Sequence, residues 1–361
     1  MILKQTFFSI AITVLLSFLS LNSFSQVQKE IKIDSSLYKV AVVAFYNLEN
    51  IFDTIDDPDV RDEEFLPNGA NLWETKKYNS KLEHMSRVIS QLGDEYVKGG
   101  PMLVGVCEIE NRGVTQDLIN TKNLKKSNYD FVQYEGPYSR GVDVALIYRK
   151  DYFKVTNSRA VALTLPDNYK TRDILVVSGL LEGEPVHVLV NHWPSRGGGD
   201  KSVIGRNLAG QLARTLVDSI IKTDANAKII VMGDLNDDPT NESVAKYLNA
   251  NGNMEKLEAG QMFNTMAPIL KRGIGSLAYQ DNWNLFDQII VSQPLVGEDK
   301  SSFKFHSATV YNKNFLVQKD GRFAGYPFRT FSGGAYTNGY SDHFPTFIYL
   351  VRDLKPEEKK K

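Results

Sequence analysis

The chain has 361 residues, 42% of them hydrophobic and 24% charged, with a single cysteine and a formal net charge of −1. That composition builds a large core and excludes a disordered or fibrous protein. The near-neutral balance excludes a protein that holds nucleic acid mainly through spread positive charge, so any phosphate recognition must be local.

After Met1 to Lys4, the run TFFSIAITVLLSFLSLNSFSQ has the basic start, short apolar middle and small-residue end of a secretory signal peptide. Ser9, Thr13, Ser17 and Ser20 interrupt what a membrane span of about 20 residues would need. The expected organisation is a cleaved signal over 1–25, one domain over 37–353 and a disordered tail over 354–361. The mature protein is then exported, periplasmic or secreted, with no transmembrane anchor. Removing Lys4 leaves 41 basic against 43 acidic residues, a net charge of −2. A secreted chain with one thiol has no internal disulfide, and Cys107, inside the apolar run MLVGVCE, reads as a buried hydrophobe.

Along the domain, β-rich runs alternate with helical ones. Strands are expected at Val40–Tyr46, Met102–Cys107, Asp130–Tyr134, Val142–Tyr148, Leu175–Leu181, Val186–Asn191, Lys228–Met232, Leu285–Val291 and Thr346–Val351. Two helices stand out. In one, Tyr78, Leu82, Met85, Ile89 and Leu92 fall at helical spacing before a stop at Gly93; in the other, Leu208, Leu212, Leu216 and Ile220 form the apolar stripe. Strands and helices mixed throughout imply an α/β unit of sheets covered by helices. Residues 312–340, rich in Gly, aromatic and Arg residues, read as a long functional loop.

The strand ends carry the chemistry. VMGDLNDDP is an apolar strand that ends in Asp234 and Asn236, with Asp237 and Asp238 suited to a turn and a helix cap. Other runs end alike: Asn47 and Glu49 in VAFYNLEN, Glu108 in LVGVCEIEN, His192 in VLVNHWPSRGGG, Asp287 in NLFDQIIV, and Ser341, Asp342 and His343 in YSDHFP. Ligands in open α/β sheets bind at strand ends. If the fold brings these to one rim, the oxygen donors suit Mg²⁺, Mn²⁺ or Ca²⁺ better than Zn²⁺. Phosphodiester hydrolysis needs such a cation, a base for water and a group to stabilise the leaving oxygen. His343 paired with Asp287, and His192 paired with Asp143 of RGVDVALIYR, are the proton-transfer candidates; His84, His187 and His306 read as structural or solvated. Arg196, followed by three glycines, is either an anion cradle or a surface turn, and Arg140 and Arg329 are further phosphate candidates.

The motifs FYNLEN, GVCEIEN, RGVDVALIYR, NHWPSR, GDLNDDP, FDQIIVS and SDHFP, in that order, resemble those of the endonuclease/exonuclease/phosphatase superfamily, with its deoxyribonuclease I-like fold. The likeness runs from about Val40 to Phe347 and is strongest to bacterial secreted or periplasmic nuclease-like members. It implies a four-layer sandwich of two packed mixed β-sheets flanked by helices, and divalent-metal-dependent cleavage of phosphoester bonds. Asn47 would position the carboxylates, and Glu49, Glu108 and Asp342 would hold the metal. Asp234 would activate water, Asn236 would hold a phosphate oxygen, and His343, oriented by Asp287, would contact the scissile phosphate. The expected activity is a nucleic-acid endonuclease of low sequence specificity, acting as a monomer without a stable protein partner. The alternatives are a phosphodiesterase or phosphatase acting on phospholipid, inositol phosphate or another small phosphoester, and an inactive binding protein.

Overall fold

The computed structural model describes residues 32–359, so the expected signal peptide at 1–25 lies outside the described residues. No helix among the described residues is long and apolar enough to cross a membrane.

In chain order the strands are β1 (Tyr38–Ile51), β2 (Leu103–Ile109), β3 (Tyr129–Gln133), β4 (Asp143–Arg149), β5 (Phe153–Val161), β6 (Ile174–Leu181), β7 (Glu184–His192), β8 (Ile229–Asp234), β9 (Ala250–Asn251), β10 (Met262–Asn264), β11 (Leu277–Tyr279), β12 (Asn282–Asn284), β13 (Asp287–Val291), β14 (Lys304–Val310), β15 (Phe331–Ser332), β16 (Ala335–Tyr336) and β17 (Thr346–Asp353). The α-helices are α1 (Thr75–Gln91), α2 (Arg112–Asn120), α3 (Asp200–Thr223) and the single turn α4 (Ala267–Leu270). One mixed sheet runs β14-β17-β1-β2-β4-β3 and a second runs β5-β6-β7-β8-β13-β10-β9. They pack face to face, with α1 and α2 outside the first and α3 outside the second, giving the expected four layers.

Period-two alternation sorts the second sheet's side chains between two cores. Val188, Val190, Ile230, Met232, Ile289 and Val291 face the first sheet, whereas Leu189, Ile229, Val231 and Ile290 face α3. The same parity puts His192, Asp234 and Asp287 on the inner face at the strand ends. Gly105 lets the sheets approach here: a Cβ on it would lie 2.4 Å from Met232 Sδ.

Two differences from the sequence reading have physical causes. Strands β5 and β14 escape the pattern because they are half-exposed sheet edges interrupted by bulges at 155–157 and 305–307. The buried face of α3 is Gly205, Arg206, Ala209, Ala213, Leu216 and Val217, while Leu208, Leu212 and Ile220 are only partly covered. Gly210 instead lets α3 lie against the helical turn at 243–247, where a Cβ on it would sit 2.2 Å from the Ser243 carbonyl. In the described part of the tail, Glu358 accepts a bidentate pair from Arg352 of β17 at 2.7 and 2.8 Å.

Candidate active site

Sheet register assembles the rim. Parallel pairing sets Asn47 beside Cys107 and His192 beside Asp234, and antiparallel pairing sets Asp287 across from Asp234. The two sheets then close over these positions. The Asn47 amide donates to Glu108 Oε1 at 3.3 Å and to Asp234 Oδ2 at 3.0 Å, joining residues 187 positions apart. Glu108 lies at the bulge where β2 slips against β4, with φ 59°, and takes the Asn50 N–H at 3.1 Å. Glu49, Asn50 and Asn236 are left-handed as well, a conformation that non-glycine residues hold only when their surroundings impose it. Asp234 Oδ1 accepts the Asn236 N–H at 2.9 Å, and the Asn236 amide uses one hydrogen on the Trp193 carbonyl at 3.0 Å.

His343 Nδ1 lies 2.6 Å from Asp287 Oδ2, which also accepts the Ser276 hydroxyl at 2.5 Å; its Nε2 stands 3.9 Å from Asp234 Oδ2. Ser341 locks the loop by donating to the Asn47 carbonyl at 2.8 Å and accepting the His343 N–H at 3.1 Å. Burial alone would lower the His343 imidazole, but Asp287, Asp234 and Asp342 outweigh it and hold the ring well above its ordinary value. Burial pushes the Asp234 carboxyl up to about 7; His343 opposes the rise, and Asp287 and Glu108 add to it.

Several expectations are revised. Asp143 does not hold His192: its carboxylate caps the Gly136 N–H at 3.1 and 3.0 Å, and His192 Nδ1, though buried, has no hydrogen-bond partner among the described residues. The strand places Asp143 in its own turn, so the His192 pairing fails. Arg196 is no free anion cradle. Its guanidinium donates to the Asn236 carbonyl at 3.0 Å and to Asn241, lies 3.3 Å from Asp237, and covers the Phe286 ring, clamping the GDLNDDP turn. Arg140 donates to Asn50 Oδ1 at 2.5 Å, beside the rim. Glu49 has both oxygens engaged, by Arg329 Nε at 2.9 Å and the Thr330 N–H at 2.7 Å, with Lys81 Nζ 3.8 Å away. Arg329 also donates to Asp342 at 3.2 Å.

Lys81, Ser276 and Thr330 are site residues that sequence reasoning missed. Lys81 had a signal: it follows Tyr78 by three positions, on the buried face of α1, where its ammonium bonds Thr330 Oγ1 and the Tyr340 carbonyl at 2.7 and 2.5 Å. Ser276 and Thr330 lie in loops with no pattern to betray them.

These donors fit a hard cation. Glu108, Asp342 and Asp234 are oxygen donors around one rim, and a dication would relieve the part of the rise in Asp234 that Asp287 and Glu108 add to the larger effect of burial. Residues 42–352 match the profile of the Endonuclease/Exonuclease/phosphatase family. The chain belongs to that family. Endonuclease/exonuclease/phosphatase proteins are metal-dependent phosphoester hydrolases. Solved structures share its fold: a family protein of Bacteroides thetaiotaomicron (18% identity, covering 88% of this chain and 96% of that one, TM-score 0.53), the B. thetaiotaomicron mannosyl-6-phosphatase (17%, 86% and 99%, 0.52) and a humanised D. rerio TDP2 (16%, 86% and 98%, 0.52). No curated protein matches the sequence.

The charge arrangement of this family member predicts a pH dependence. Burial, the largest cause in each case, holds Asp234 and Asp143 up to about 7 and Glu110 up to about 8. Over that range the folded chain keeps protons the unfolded chain has released, so stability falls as pH rises. His343, also raised, acts in the same direction. His84, His187, His192 and His306 are lowered by burial and act oppositely, but only up to the ordinary imidazole value of 6.5. Lys81, pushed down to about 8 by burial, acts oppositely too, but only from the upper end of that range. Between pH 6.5 and 8 the metal-free protein is expected to melt at progressively lower temperature, and Mg²⁺ to restore part of the loss. A melting temperature that rises with pH there, or that ignores Mg²⁺, would contradict this.

Proposed function

We propose that this protein is an exported, divalent-metal-dependent phosphodiesterase that cuts nucleic acid with low sequence specificity. The observation that carries the hydrolytic reading is the His343–Asp287 pair at 2.6 Å facing a buried Asp234 that Asn47 ties to Glu108. In this reading Glu108 and Asp342 hold the cation, which would neutralise the phosphoryl oxygens. Asp234, fixed by Asn47 and the Asn236 N–H, orients and deprotonates the attacking water. Its raised carboxyl makes it a better base. Asn236 offers its remaining amide hydrogen to a phosphate oxygen. His343, held by Asp287 through Nδ1, presents Nε2 to the phosphate and stabilises the developing charge. Glu49 stands behind, as the anchor that holds Arg329 and the 312–340 loop.

The nucleic-acid preference is supported by the flank beside His343. Trp283, backed by the buried Phe344 with ring centroids 6.0 Å apart, meets Tyr326, and the exposed Phe323 continues the aromatic surface with Arg322 over its ring. Unpaired bases stack on such surfaces regardless of sequence. A second reading, a small phosphoester substrate, draws on the opposite flank. There Asp56, Glu63 and Glu64 join Arg61 and Arg140 around a cleft of about 790 Å³ whose acidic wall repels a polyanion.

One panel tests both readings: the purified mature chain with DNA, RNA, a phospholipid and inositol and sugar phosphates. Cleavage of DNA or RNA that stops in EDTA and returns with Mg²⁺ or Mn²⁺ is the expected result. Cleavage persisting in EDTA would remove the metal, and turnover of the small phosphoesters alone would favour the second reading.

A further inference from the structure

Beneath the rim lies a group of donors of a different kind. Cys107 on β2 has the parity of Gly105 and so faces the second sheet, where one ligand atom each from Cys107, His192 and Asp234 lies within 4.8 Å of the others. All three residues are buried, at 0%, 6% and 2% exposure. His192 is unusual among the rim residues in its lack of commitment. Among the described residues Nδ1 has no hydrogen-bond partner, and Nε2 stands 3.7 Å from Asp234 Oδ2 and 3.8 Å from Glu108 Oε1, beyond hydrogen-bond reach. His343, by contrast, is already held by Asp287. Ligand atoms around a tetrahedral zinc lie about 3.3 to 3.8 Å apart, so shifts well under an ångström to about one ångström would close the set. A thiolate, an imidazole and two carboxylates make a softer donor set than the oxygen-only rim.

We propose that Cys107, His192, Asp234 and Glu108 form a second metal site, selective for Zn²⁺, Co²⁺ or Cd²⁺ over Mg²⁺, and that its occupation inhibits the enzyme. Binding releases the thiol proton to solvent and leaves a dication held by the thiolate, the neutral imidazole and the carboxylates. The Asn47 amide, now bonded to both Glu108 and Asp234, is displaced. Inhibition follows because Asp234 and Glu108 are then withdrawn from water activation and from the Mg²⁺ site. That half rests on the hydrolase reading above; the site itself does not.

Cys107 is the chain's only cysteine, so a metal–thiolate absorption can come from nowhere else. Co²⁺ or Cd²⁺ titrated into the folded, metal-free protein is expected to give a near-ultraviolet thiolate charge-transfer band that Zn²⁺ abolishes for Co²⁺. Mg²⁺ in excess should leave the band in place. Co²⁺ or Cd²⁺ binding without the band overturns the site, whether or not the protein hydrolyses anything. In a Mg²⁺-saturated assay, Zn²⁺ is expected to inhibit the wild type. Cys107→Ser should keep the Mg²⁺-supported rate and raise the half-inhibitory Zn²⁺ concentration by about tenfold or more, since even outer ligands of a metal site matter at that level. Equal inhibition of the two proteins overturns the inhibitory role. Should Cys107→Ser fail to fold, the wild-type titration alone decides the site, and Cys107→Ala carries the inhibition comparison.

Discussion

Replacing His343 with alanine is expected to lower the phosphodiesterase rate by about 10²- to 10⁴-fold, the span that a positioned proton-transfer or charge-stabilising imidazole contributes. Asp287 fixes the ring through Nδ1, and Nε2 faces Asp234 across 3.9 Å. Asp287 is fully buried and its Oδ1 has no partner among the described residues, so losing the imidazole leaves the carboxylate supported by Ser276 on one oxygen. Some loss of stability accompanies the variant for that reason. Asp287→Asn separates the two effects, because it keeps the ring but weakens its charge and orientation. Rates of both variants, measured beside their melting temperatures, check this: a His343→Ala enzyme within about tenfold of wild type would remove His343 from the reaction.

Asp234→Asn is expected to give a comparable rate loss, about 10²- to 10⁴-fold, with the opposite effect on stability. The carboxylate accepts one bond on each oxygen, from the Asn236 N–H and the Asn47 amide, and an amide can accept on only one of its two positions. Against that lost bond stands the removal of a charge that burial, Asp287 and Glu108 all disfavour. Above pH 7 the metal-free variant should therefore melt at or above the wild-type temperature, and the stabilisation by Mg²⁺ should shrink. Rate loss together with a large fall in melting temperature at pH 8 would mean that Asp234 is structural. An unchanged rate would end its role as the base.

The sequence by itself determined which strands exist in the sheet centres and which polar groups stand at their ends. Central strands are buried on both faces, so Ile229–Asp234 and Leu103–Ile109 are legible from their apolar runs. The family likeness was legible for the same reason, since its motifs are those strand ends. Only the tertiary structure decided which partner each polar group takes. Glu49 meets Arg329 across 280 residues and Asn47 meets Asp234 across 187, contacts that depend on how two sheets stack and where one long loop returns. Asp143 and His192 each occupy strand ends as expected, yet the turn at Gly136 claims the one and leaves Nδ1 of the other without a partner among the described residues. Helix α3 makes the same point in packing: periodicity picks the largest apolar stripe, but Ala209 and Ala213 join Leu216 and Val217 in the face buried against the sheet, and Leu208, Leu212 and Ile220 flank it.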